Sequence, residues 1–559
     1  MGTIPTSNKQ RFNTGFLAGF LAGILATSVM LLLSITFSGV SLPDILSSAI
    51  ALGMPLPLFQ YLHSIFGADS KYYLFYIVLV GQCLVFALSG GLCNLLLGST
   101  GFQSKKWIDE QGQLHWSTGL ILALILWLFA GFIFLPLTNS GVFGSQLLIG
   151  PLNTIGSLAV VQLVFGILFI FIQNWLVLRS IRKQKGATTP ATIQQEEENI
   201  SGRRSLLRNG LVVLGLGALG VLAWRFISGG SGSPTLSSSQ VLQTYKNKIT
   251  PPLHPNYGTI TEVSGLSSEI TSNDEFYVVS KNFVSDPTVN GSTWQLSVGG
   301  VVSHPYTLTY DQLTALPTKQ QYETMMCISN EVGGQYMSNA HWEGVPLADL
   351  LQRAGEIKPG ATKVVLHAAD GYSDSIHLAK ALEPTTLVAT HMNGATLPQA
   401  HGYPARLLVP GIYGMKHVKW ITSIEVVTTD YQGYWQQSGW SDPAEIRMTS
   451  RIDTPLDNAD LKANQSTYIA GVAFSGNKGI SEVDVSFDNG QTWHRATLKQ
   501  PLSELTWVLW GLPWQPTPGN HTISVRAIDG QGNVQNPQIA PPLPNGSSGY
   551  HTIHVSAHI

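Results

Sequence analysis

The sequence contains few charged residues and very few cysteines. Only 11% of its 559 residues are charged, and the net charge is −2 at pH 7. This balance argues against a nucleic-acid-binding surface or a polybasic partner. Of the three cysteines, Cys83 and Cys93 share one apolar run, so Cys327 has no disulfide partner in the polar part of the chain. Cys327 is therefore a metal ligand, a nucleophile or a small buried side chain.

Long apolar runs are confined to the first 230 residues. Five of them are long enough to cross a hydrocarbon layer, which requires about 20 helical residues. They cover residues 15–37, 72–97, 117–137, 156–178 and 210–227. A further apolar stretch, 43–66, is interrupted by prolines, so we predict an interfacial or re-entrant segment there, with a sixth span as the alternative.

Basic residues are distributed unevenly between these runs. They precede the first run, separate the second from the third and cluster at 179–208, whereas the alternate loops carry only Lys71. The positive-inside rule then places the N terminus inside the plasma membrane and everything after 227 outside. Arg203 and Arg204 form either a twin-arginine export signal or a plain cytoplasmic positive cluster.

Histidine is almost absent from the apolar part. Only His63 and His115 precede residue 250, and both lie at the edges of runs. A b-type haem needs histidines that face each other from two spans, so we expect no haem in this chain. A transporter is also disfavoured, because the spans contain few charges and no internal repeat. We therefore predict that this part is a membrane anchor, with no role for Cys83 or Cys93.

The polar part divides into three segments. Gly and Ser are abundant in a predicted linker at 229–262. Alternating and helical patterns mix at 263–445 and predict an α+β domain, whereas short alternating runs separated by turns such as Asp488-Asn489-Gly490 predict an immunoglobulin-like β-sandwich at 446–559. The predicted fold is multi-domain, with an N-terminal α-helical membrane region at 1–209 and a fifth membrane helix at 210–228.

Basic residues also cluster around a Pro-Gly turn in the α+β domain. The cluster comprises His401, Arg406, Lys416, His417 and Lys419. Side chains of this kind are suited to holding a phosphate-bearing ligand. The alternative is a strand whose lysines face solvent.

Several ordered motifs resemble the sulfite oxidase family of molybdopterin enzymes. They are Cys327-Ile-Ser-Asn-Glu-Val-Gly-Gly334, Trp342-Glu-Gly-Val-Pro-Leu-Ala-Asp-Leu-Leu351, Met392-Asn-Gly394, His401-Gly-Tyr-Pro-Ala-Arg406 and the segment 409–420. The resemblance covers residues 263–559, and the sandwich with Trp507-Val-Leu-Trp510 resembles the family's dimerisation domain. The likeness to a dimerisation domain implies a homodimer. The preceding spans are similar to those of a membrane-anchored bacterial branch.

The resemblance implies a role for individual residues. Cys327 matches the cysteine whose thiolate binds molybdenum, and Tyr372 matches an active-site tyrosine near the metal's oxo ligand. Further positions match residues that bind the molybdenum–molybdopterin cofactor; they are Asn273, Phe276, Tyr277, His401, Arg406, Lys416, His417 and Lys419. The implied activity is oxygen-atom transfer, with electrons exchanged with an external cytochrome or quinone-linked subunit.

The chain departs from the family pattern where the anion-binding arginines of sulfite-oxidising members lie. Val279, Glu331 and Val332 occupy these positions, and Lys281 replaces a family histidine. Guanidinium groups bind small dianions bidentately, so their loss predicts weaker sulfite binding. Reduction of an S-oxide or N-oxide, including methionine sulfoxide, is therefore the alternative. A non-catalytic cofactor-binding scaffold or sensor is the hypothesis from another class.

Overall fold

The computed structural model describes residues 8–37, 39–66, 70–97, 107, 113–147, 149–186, 255–260, 263–282 and 285–559. The chain forms two compact units, one containing the N-terminal helices and the other the polar part together with Leu52–Ser64. The predicted fifth span, the twin-arginine-like motif and most of the predicted linker lie outside the described residues.

Four helices in the described part of the chain are long and apolar enough to cross a membrane. They are α1 (Asn8–Phe37), α4 (Ser70–Leu97), α5 (Trp116–Leu137) and α6 (Gly150–Gly186). Each coincides with one of the first four predicted runs. A π-helical turn at Ala130–Phe134 interrupts α5. Close packing of α1 on α4 depends on small residues, since a Cβ atom at Gly19 would lie 2.5 Å from the carbonyl oxygen of Phe86.

The stretch predicted to be interrupted by prolines consists of two short helices. These are α2 (Leu42–Gly53) and α3 (Leu56–Phe66), of 12 and 11 residues. Pro43 and Pro57 each occupy the second position of a helix, where a missing backbone N–H costs no helical hydrogen bond. Neither helix is long enough to span a bilayer, so the alternative of a continuous sixth span across 43–66 is wrong.

Two five-stranded sheets form the α+β part of the second unit. The first has the strand order β2-β1-β10-β5-β6, and the second has β3-β4-β7-β8, with β9 also paired to β7. Their strands are β1 (Gln295–Gly300), β2 (Tyr306–Thr309), β3 (Lys319–Met326), β4 (Met337–Pro346), β5 (Lys363–Ala368), β6 (Ser373–His377), β7 (Leu387–Met392), β8 (Ala395–Thr396), β9 (Arg406–Leu408) and β10 (Ile421–Val427). Short helices α7 (Tyr310–Thr314), α8 (Leu347–Arg353) and α9 (Leu378–Ala381) accompany them.

The C-terminal part contains two further sheets that share one apolar core. Their orders are β11-β13-β17-β16 and β12-β19-β18-β14-β15. The strands are β11 (Thr449–Thr454), β12 (Ala459–Lys462), β13 (Thr467–Phe474), β14 (Ile480–Ser486), β15 (His494–Arg495), β16 (Thr497–Leu498), β17 (Val508–Trp514), β18 (Gly519–Asp529) and β19 (His551–His558). Buried Ile469, Trp510 and Val525 from both sheets meet in the core, as the alternating runs predict.

A separate apolar cluster joins the α+β part to the C-terminal sheets. Met326 and Ile328 of the former pack with Val472, Phe474 and Trp507 of the latter, and all five are buried. These methionine and isoleucine side chains flank Cys327 on both sides in the sequence. The cysteine is therefore anchored where the two parts meet.

Candidate active site

Cys327 directly follows strand β3, between two cores. Met325 packs with Phe276 and Trp342, whereas Met326 packs toward the C-terminal sheets. Side chains alternate along a strand, so Cys327 continues the side of Met325. Its N–H donates to the Tyr336 carbonyl (2.9 Å), and its Sγ lies 2.9 Å from Ser329 Oγ. The thiol is 7% exposed and is held in a fixed position.

The loop after the cysteine is tied to the C-terminal sheets. Asn330 Oδ1 accepts a hydrogen bond from the Tyr336 N–H (2.8 Å), and the Asn330 carbonyl accepts one from Ser547 Oγ (2.7 Å). Arg451 Nη1 donates to the Gly334 carbonyl (2.9 Å). The sandwich therefore helps to position the cysteine, a role that the sequence patterns did not indicate.

A cavity of about 110 Å³, partly open to solvent, lies beside Cys327. Residues that are far apart in the sequence converge on its wall. Seven of the ten predicted site residues line it: Tyr277, Cys327, Tyr372, His401, Arg406, His417 and Lys419.

Asn273 and Phe276 support this wall from behind. The Asn273 carbonyl accepts a hydrogen bond from His401 Nε2 (2.7 Å), and its side-chain oxygen accepts one from Asn393 (2.8 Å). Phe276 is buried edge-on against the rings of Trp342 and His401. Neither residue lines the cavity, so they orient other groups.

Lys416 does not place its ammonium group at the cavity, contrary to the expectation. Nζ donates to Asp374 Oδ1 (2.9 Å), to the Ser375 carbonyl (2.8 Å) and to Asp442 Oδ1 (2.9 Å). These three acceptors use all three ammonium hydrogens. The side chain is 2% exposed, and a buried cation is stable only with such partners. Lys416 is a buried ion-pair residue in this structure.

His401 and His417 contribute no positive charge near neutral pH. Each donates its Nε2–H to a backbone carbonyl, that of Asn273 for His401 and that of Ile412 for His417. Burial lowers the pKa of His401 to about 4 and that of His417 to about 3. The basic cluster therefore acts through Arg406 and Lys419, and the histidines act as neutral hydrogen-bonding groups.

Arg406 presents a positive charge whose contacts are uncharged. Its guanidinium donates to the carbonyls of His401 (3.0 Å) and His417 (3.4 Å) and lies 5.3 Å from the Trp342 ring centroid. Burial raises the pKa of the nearby Glu323 carboxyl to about 8, so this group is mostly protonated at pH 7. The wall thus carries a cation that suits an anionic ligand.

Three buried polar atoms in the cavity wall have no hydrogen-bond partner within the described part of the chain. They are Tyr277 Oη, Arg406 Nε and His417 Nδ1. Unpaired buried polar atoms are costly, and they are typical of sites that a ligand completes. Arg406 Nε is a donor, and His417 Nδ1 is an acceptor that lies 4.0 Å from the Glu323 carboxyl. The donor suits an anionic group such as the phosphate of a pterin cofactor.

Aromatic side chains that the motifs did not identify also line the cavity. Trp435 and Trp440 are stacked, with ring centroids 4.4 Å apart, and both belong to the wall. Lys281 lies 3.8 Å from Asp370 and 5.7 Å from the Tyr434 ring centroid. The only sequence signal for the tryptophans is the density of aromatic residues at 431–440.

The three departures from the arginine pattern occupy different places. Val279 lines the cavity. Glu331 is exposed, and Val332 lies near Gly549 of the C-terminal sheets; neither is part of the cavity lining. Only Val279 therefore bears directly on what the cavity binds.

The buried histidines predict how stability depends on pH. Burial lowers the pKa of His551 to about 4, as for His401, and that of His417 to about 3. In the unfolded chain these histidines take up protons near pH 6.5. Their contribution to the free energy of unfolding is therefore fully present above pH 6.5 and is lost as the pH falls toward 4. The three histidines together contribute about 4 kcal/mol per pH unit. The Glu323 carboxyl, whose pKa burial raises to about 8, binds a proton on folding and offsets about 1.4 kcal/mol per pH unit of this, so the net slope is expected to reach about 3 kcal/mol per pH unit.

Denaturant unfolding of the full chain between pH 7 and pH 5, followed by tryptophan fluorescence, measures this slope. His551→Gln is expected to reduce it, because the glutamine cannot take up a proton. A wild-type free energy of unfolding that is flat over this range would contradict the prediction.

Comparison with known proteins confirms the family resemblance. Residues 284–435 match the oxidoreductase molybdopterin binding domain, and 443–551 match the Mo-co oxidoreductase dimerisation domain. The chain is 30% identical over 338 residues to mitochondrial sulfite oxidase of Mus musculus, a match that covers 51% of this chain and 61% of the relative. It is also 30% identical over 329 residues to sulfite oxidase of Arabidopsis thaliana, covering 48% and 83%.

A relative that is named for another activity matches as well. It is nitrate reductase [NADH] of Solanum lycopersicum, 29% identical over 312 residues, with 44% of this chain and 34% of the relative covered. The chain spans about three fifths of the length of the mitochondrial relatives it matches. The matched domains imply a molybdenum–molybdopterin cofactor, and the cavity wall fits it. The chain belongs to the sulfite oxidase family of molybdopterin-dependent oxidoreductases.

Proposed function

We propose that this chain is a membrane-anchored oxidoreductase that transfers an oxygen atom between water and a small substrate. The observation that carries the proposal is the convergence of Cys327 with three unpaired polar atoms, on Tyr277, Arg406 and His417, at one cavity. Such a set binds a cofactor whose metal takes the thiolate and whose organic part takes the hydrogen bonds.

Different residues of the chain bind the metal, the phosphate and the organic part of this cofactor. The Cys327 thiolate is a soft ligand of the kind that molybdenum accepts beside its pterin dithiolene. Arg406 supplies positive charge for the phosphate together with Lys419, whose charge is partly offset by the Asp286 carboxylate 3.9 Å away. His417 and Tyr277 offer hydrogen bonds. When bound, the cofactor supplies the two-electron oxygen-transfer chemistry, and the protein orients and tunes it.

Tyr372 provides a fixed hydroxyl at the cavity. Its Oη lies 3.0 Å from Asp374 Oδ2 and 2.8 Å from the Met415 carbonyl oxygen, and its one hydrogen is donated to one of these two acceptors at a time. Burial raises the pKa of this phenol well above its usual value, so it stays protonated. Its oxygen then keeps lone pairs that accept a hydrogen bond from a water or a substrate hydroxyl in the cavity.

The substrate is either a small oxyanion, as in sulfite oxidation, or an S-oxide or N-oxide. One observation favours the second class, which includes methionine sulfoxide. Val279, Trp435 and Trp440 make part of the wall apolar, and the Lys281 charge lies 3.8 Å from the Asp370 carboxylate. A dianion gains little from such a wall, whereas a neutral oxide with an apolar substituent gains contact area.

The chain's surroundings follow from charge placement and domain type. The uneven distribution of basic residues supports an extracytoplasmic position for the catalytic unit at the plasma membrane. Electrons then pass to or from an external cytochrome or quinone-linked subunit. The two C-terminal sheets, immunoglobulin-like in arrangement and matched to a dimerisation domain, support a homodimer.

Metal and pterin analysis of the purified full chain tests the central proposal. About one molybdenum and one pterin per chain are expected, because one cavity carries one cysteine ligand. If the chain is expressed in cells that make the cofactor and is purified folded but without molybdenum, the proposal is wrong.

Turnover assays separate the substrate classes. Sulfite-dependent reduction of an acceptor dye is compared with sulfoxide-dependent oxidation of a reduced dye. We expect the second reaction to be the faster, for the reasons given by the cavity wall. Full cofactor occupancy with no turnover in either direction would favour the scaffold or sensor instead.

A further inference from the structure

A continuous series of side chains connects Tyr372 to the protein surface. Tyr372 Oη lies 3.0 Å from Asp374 Oδ2, and Asp374 Oδ1 lies 2.9 Å from Lys416 Nζ. The same Nζ lies 2.9 Å from Asp442 Oδ1. On its other oxygen, Asp442 accepts from Lys363 Nζ (2.7 Å), which lies 2.5 Å from Asp430 Oδ1. Every link is within hydrogen-bonding distance.

Two members of this series, Asp442 and Asp430, reach solvent, and the other charged members are buried. The Asp374, Lys416 and Lys363 side chains are at most 2% exposed. Asp442 is 23% exposed and Asp430 is 77% exposed. The series therefore begins at a cavity residue, passes through the interior and has two exits to water.

The composition of the series exceeds what positioning Tyr372 requires. A single backbone carbonyl, that of Met415, already accepts a hydrogen bond from Tyr372 Oη. Burying two ammonium groups and a carboxylate is costly, and apolar side chains of similar volume would stabilise the fold at least as well. Carboxylates and ammonium groups alternate along the series. A carboxylate accepts a proton, and an ammonium group takes one from a neighbouring carboxyl only as it gives one to the carboxylate on its other side.

We propose that these residues, from Tyr372 through Asp374, Lys416, Asp442 and Lys363 to Asp430, form a proton relay that connects the cavity with solvent. The proposal rests on the proposed function, because oxygen transfer from water releases two protons. It assigns roles to Lys363, Asp374 and Asp442, which the site description alone leaves as structural.

The proton balance of the relay is as follows. In the oxidative direction, water gives its oxygen to the substrate, two electrons go to the external carrier and two protons remain. Each proton passes to Tyr372 Oη while the tyrosine's own proton moves to Asp374. Lys416 takes that proton as it releases one to Asp442, which passes it to water or, through Lys363, to Asp430. In the reductive direction, two protons travel inward and the oxygen leaves as water.

Neighbouring charges favour proton movement at the inner end. Asp370, Lys281 and Tyr434 are the other titratable groups near Tyr372. Burial raises the pKa of Asp374 despite the opposing effect of Lys416, which makes this carboxylate a better proton acceptor. Lys416 lies between two carboxylates, so Asp442 accepts the proton that Lys416 releases when Asp374 delivers one.

Two variants of the full chain test the relay. Asp442→Ala opens space at the partly exposed exit, and Asp374→Asn breaks the buried inner link while keeping its shape. Dye-coupled turnover is measured at saturating substrate over increasing imidazole concentration. Turnover is expected to fall about 100-fold in Asp374→Asn and about 10-fold in Asp442→Ala, the size of lost acid–base catalysis.

Chemical rescue separates a relay from a structural role. Imidazole is expected to restore Asp442→Ala, because the small base reaches the opened exit, and to leave Asp374→Asn unchanged, because that position is buried. The solvent deuterium isotope effect on turnover should rise in both variants. Asp460→Ala, which removes an exposed carboxylate from the C-terminal sheets, is the matched control and should respond to neither test.

Other outcomes overturn the relay. They are Asp442→Ala turnover equal to that of the wild type, a loss of turnover in Asp442→Ala that no imidazole concentration reverses, or a loss in either variant explained by lower molybdenum and pterin content. Failure of the proposed function looks different, since the wild-type chain would then be inactive in both dye assays. If the wild type is active but imidazole restores no turnover to Asp442→Ala, only the relay is refuted.

Discussion

Replacing Cys327 by serine is expected to abolish turnover while the chain stays folded. The serine hydroxyl is a harder ligand than a thiolate and stays protonated at neutral pH, so the metal loses its protein ligand. The loss should exceed about 100-fold, which is the upper range for removing a mere outer-shell partner of a metal. Serine is close in size to cysteine and is able to keep the contact with Ser329 Oγ, so the free energy of unfolding should change by about 1 kcal/mol or less.

The matched control for this substitution is Cys93→Ser, which changes a thiol in the apolar helix α4. It should leave turnover and molybdenum content unchanged. Molybdenum content, pterin content and dye-coupled turnover are measured on all three proteins in detergent. Unchanged turnover in Cys327→Ser would show that the thiolate is not the metal ligand.

Local patterns were sufficient for the secondary structure and for most of the site. Span length and strand alternation depend on neighbouring residues only, and the first four spans and the C-terminal strands follow them. The prolines at 43 and 57 correctly predicted that the apolar stretch is not one continuous span. Each lies in the first turn of a short helix. The family motifs then named seven residues that converge on one cavity.

Tertiary packing decided what local patterns did not. Lys416 and Lys419 are both lysines near one turn, yet Lys416 is enclosed by two carboxylates and Lys419 lines the cavity. Their difference depends on Asp374 and Asp442, which are distant in the sequence. In the same way, burial and the nearby Arg406 charge lower the pKa values of His401 and His417, so both are neutral near pH 7. The sequence shows which residues are charged, but only the tertiary structure shows which of them form ion pairs.

Replacing Lys416 by methionine is expected to destabilise the second unit by about 3–5 kcal/mol, the cost of breaking a buried ion pair by removing one partner. Asp374, with a 1% exposed side chain, loses its cation and cannot recover the lost interaction from water. Asp442 loses one of its two lysines and keeps the other, Lys363. Urea unfolding of the full chain at pH 7, followed by tryptophan fluorescence, measures the effect.

A second substitution shows whether the cost comes from the unpaired carboxylate. Adding Asp374→Asn to Lys416→Met removes the uncompensated charge, so the double variant should be more stable than Lys416→Met alone. Contacting residues are coupled by about 0.5–3 kcal/mol, and the upper part of that range is expected here because both groups are buried. The matched control is Lys380→Met, which removes a partly exposed lysine paired with Glu383 and should cost less than about 1 kcal/mol. If Lys416→Met costs no more than this control, the buried pair contributes no more to stability than an ion pair at the surface, and the ionic interior of this domain requires an explanation other than folding.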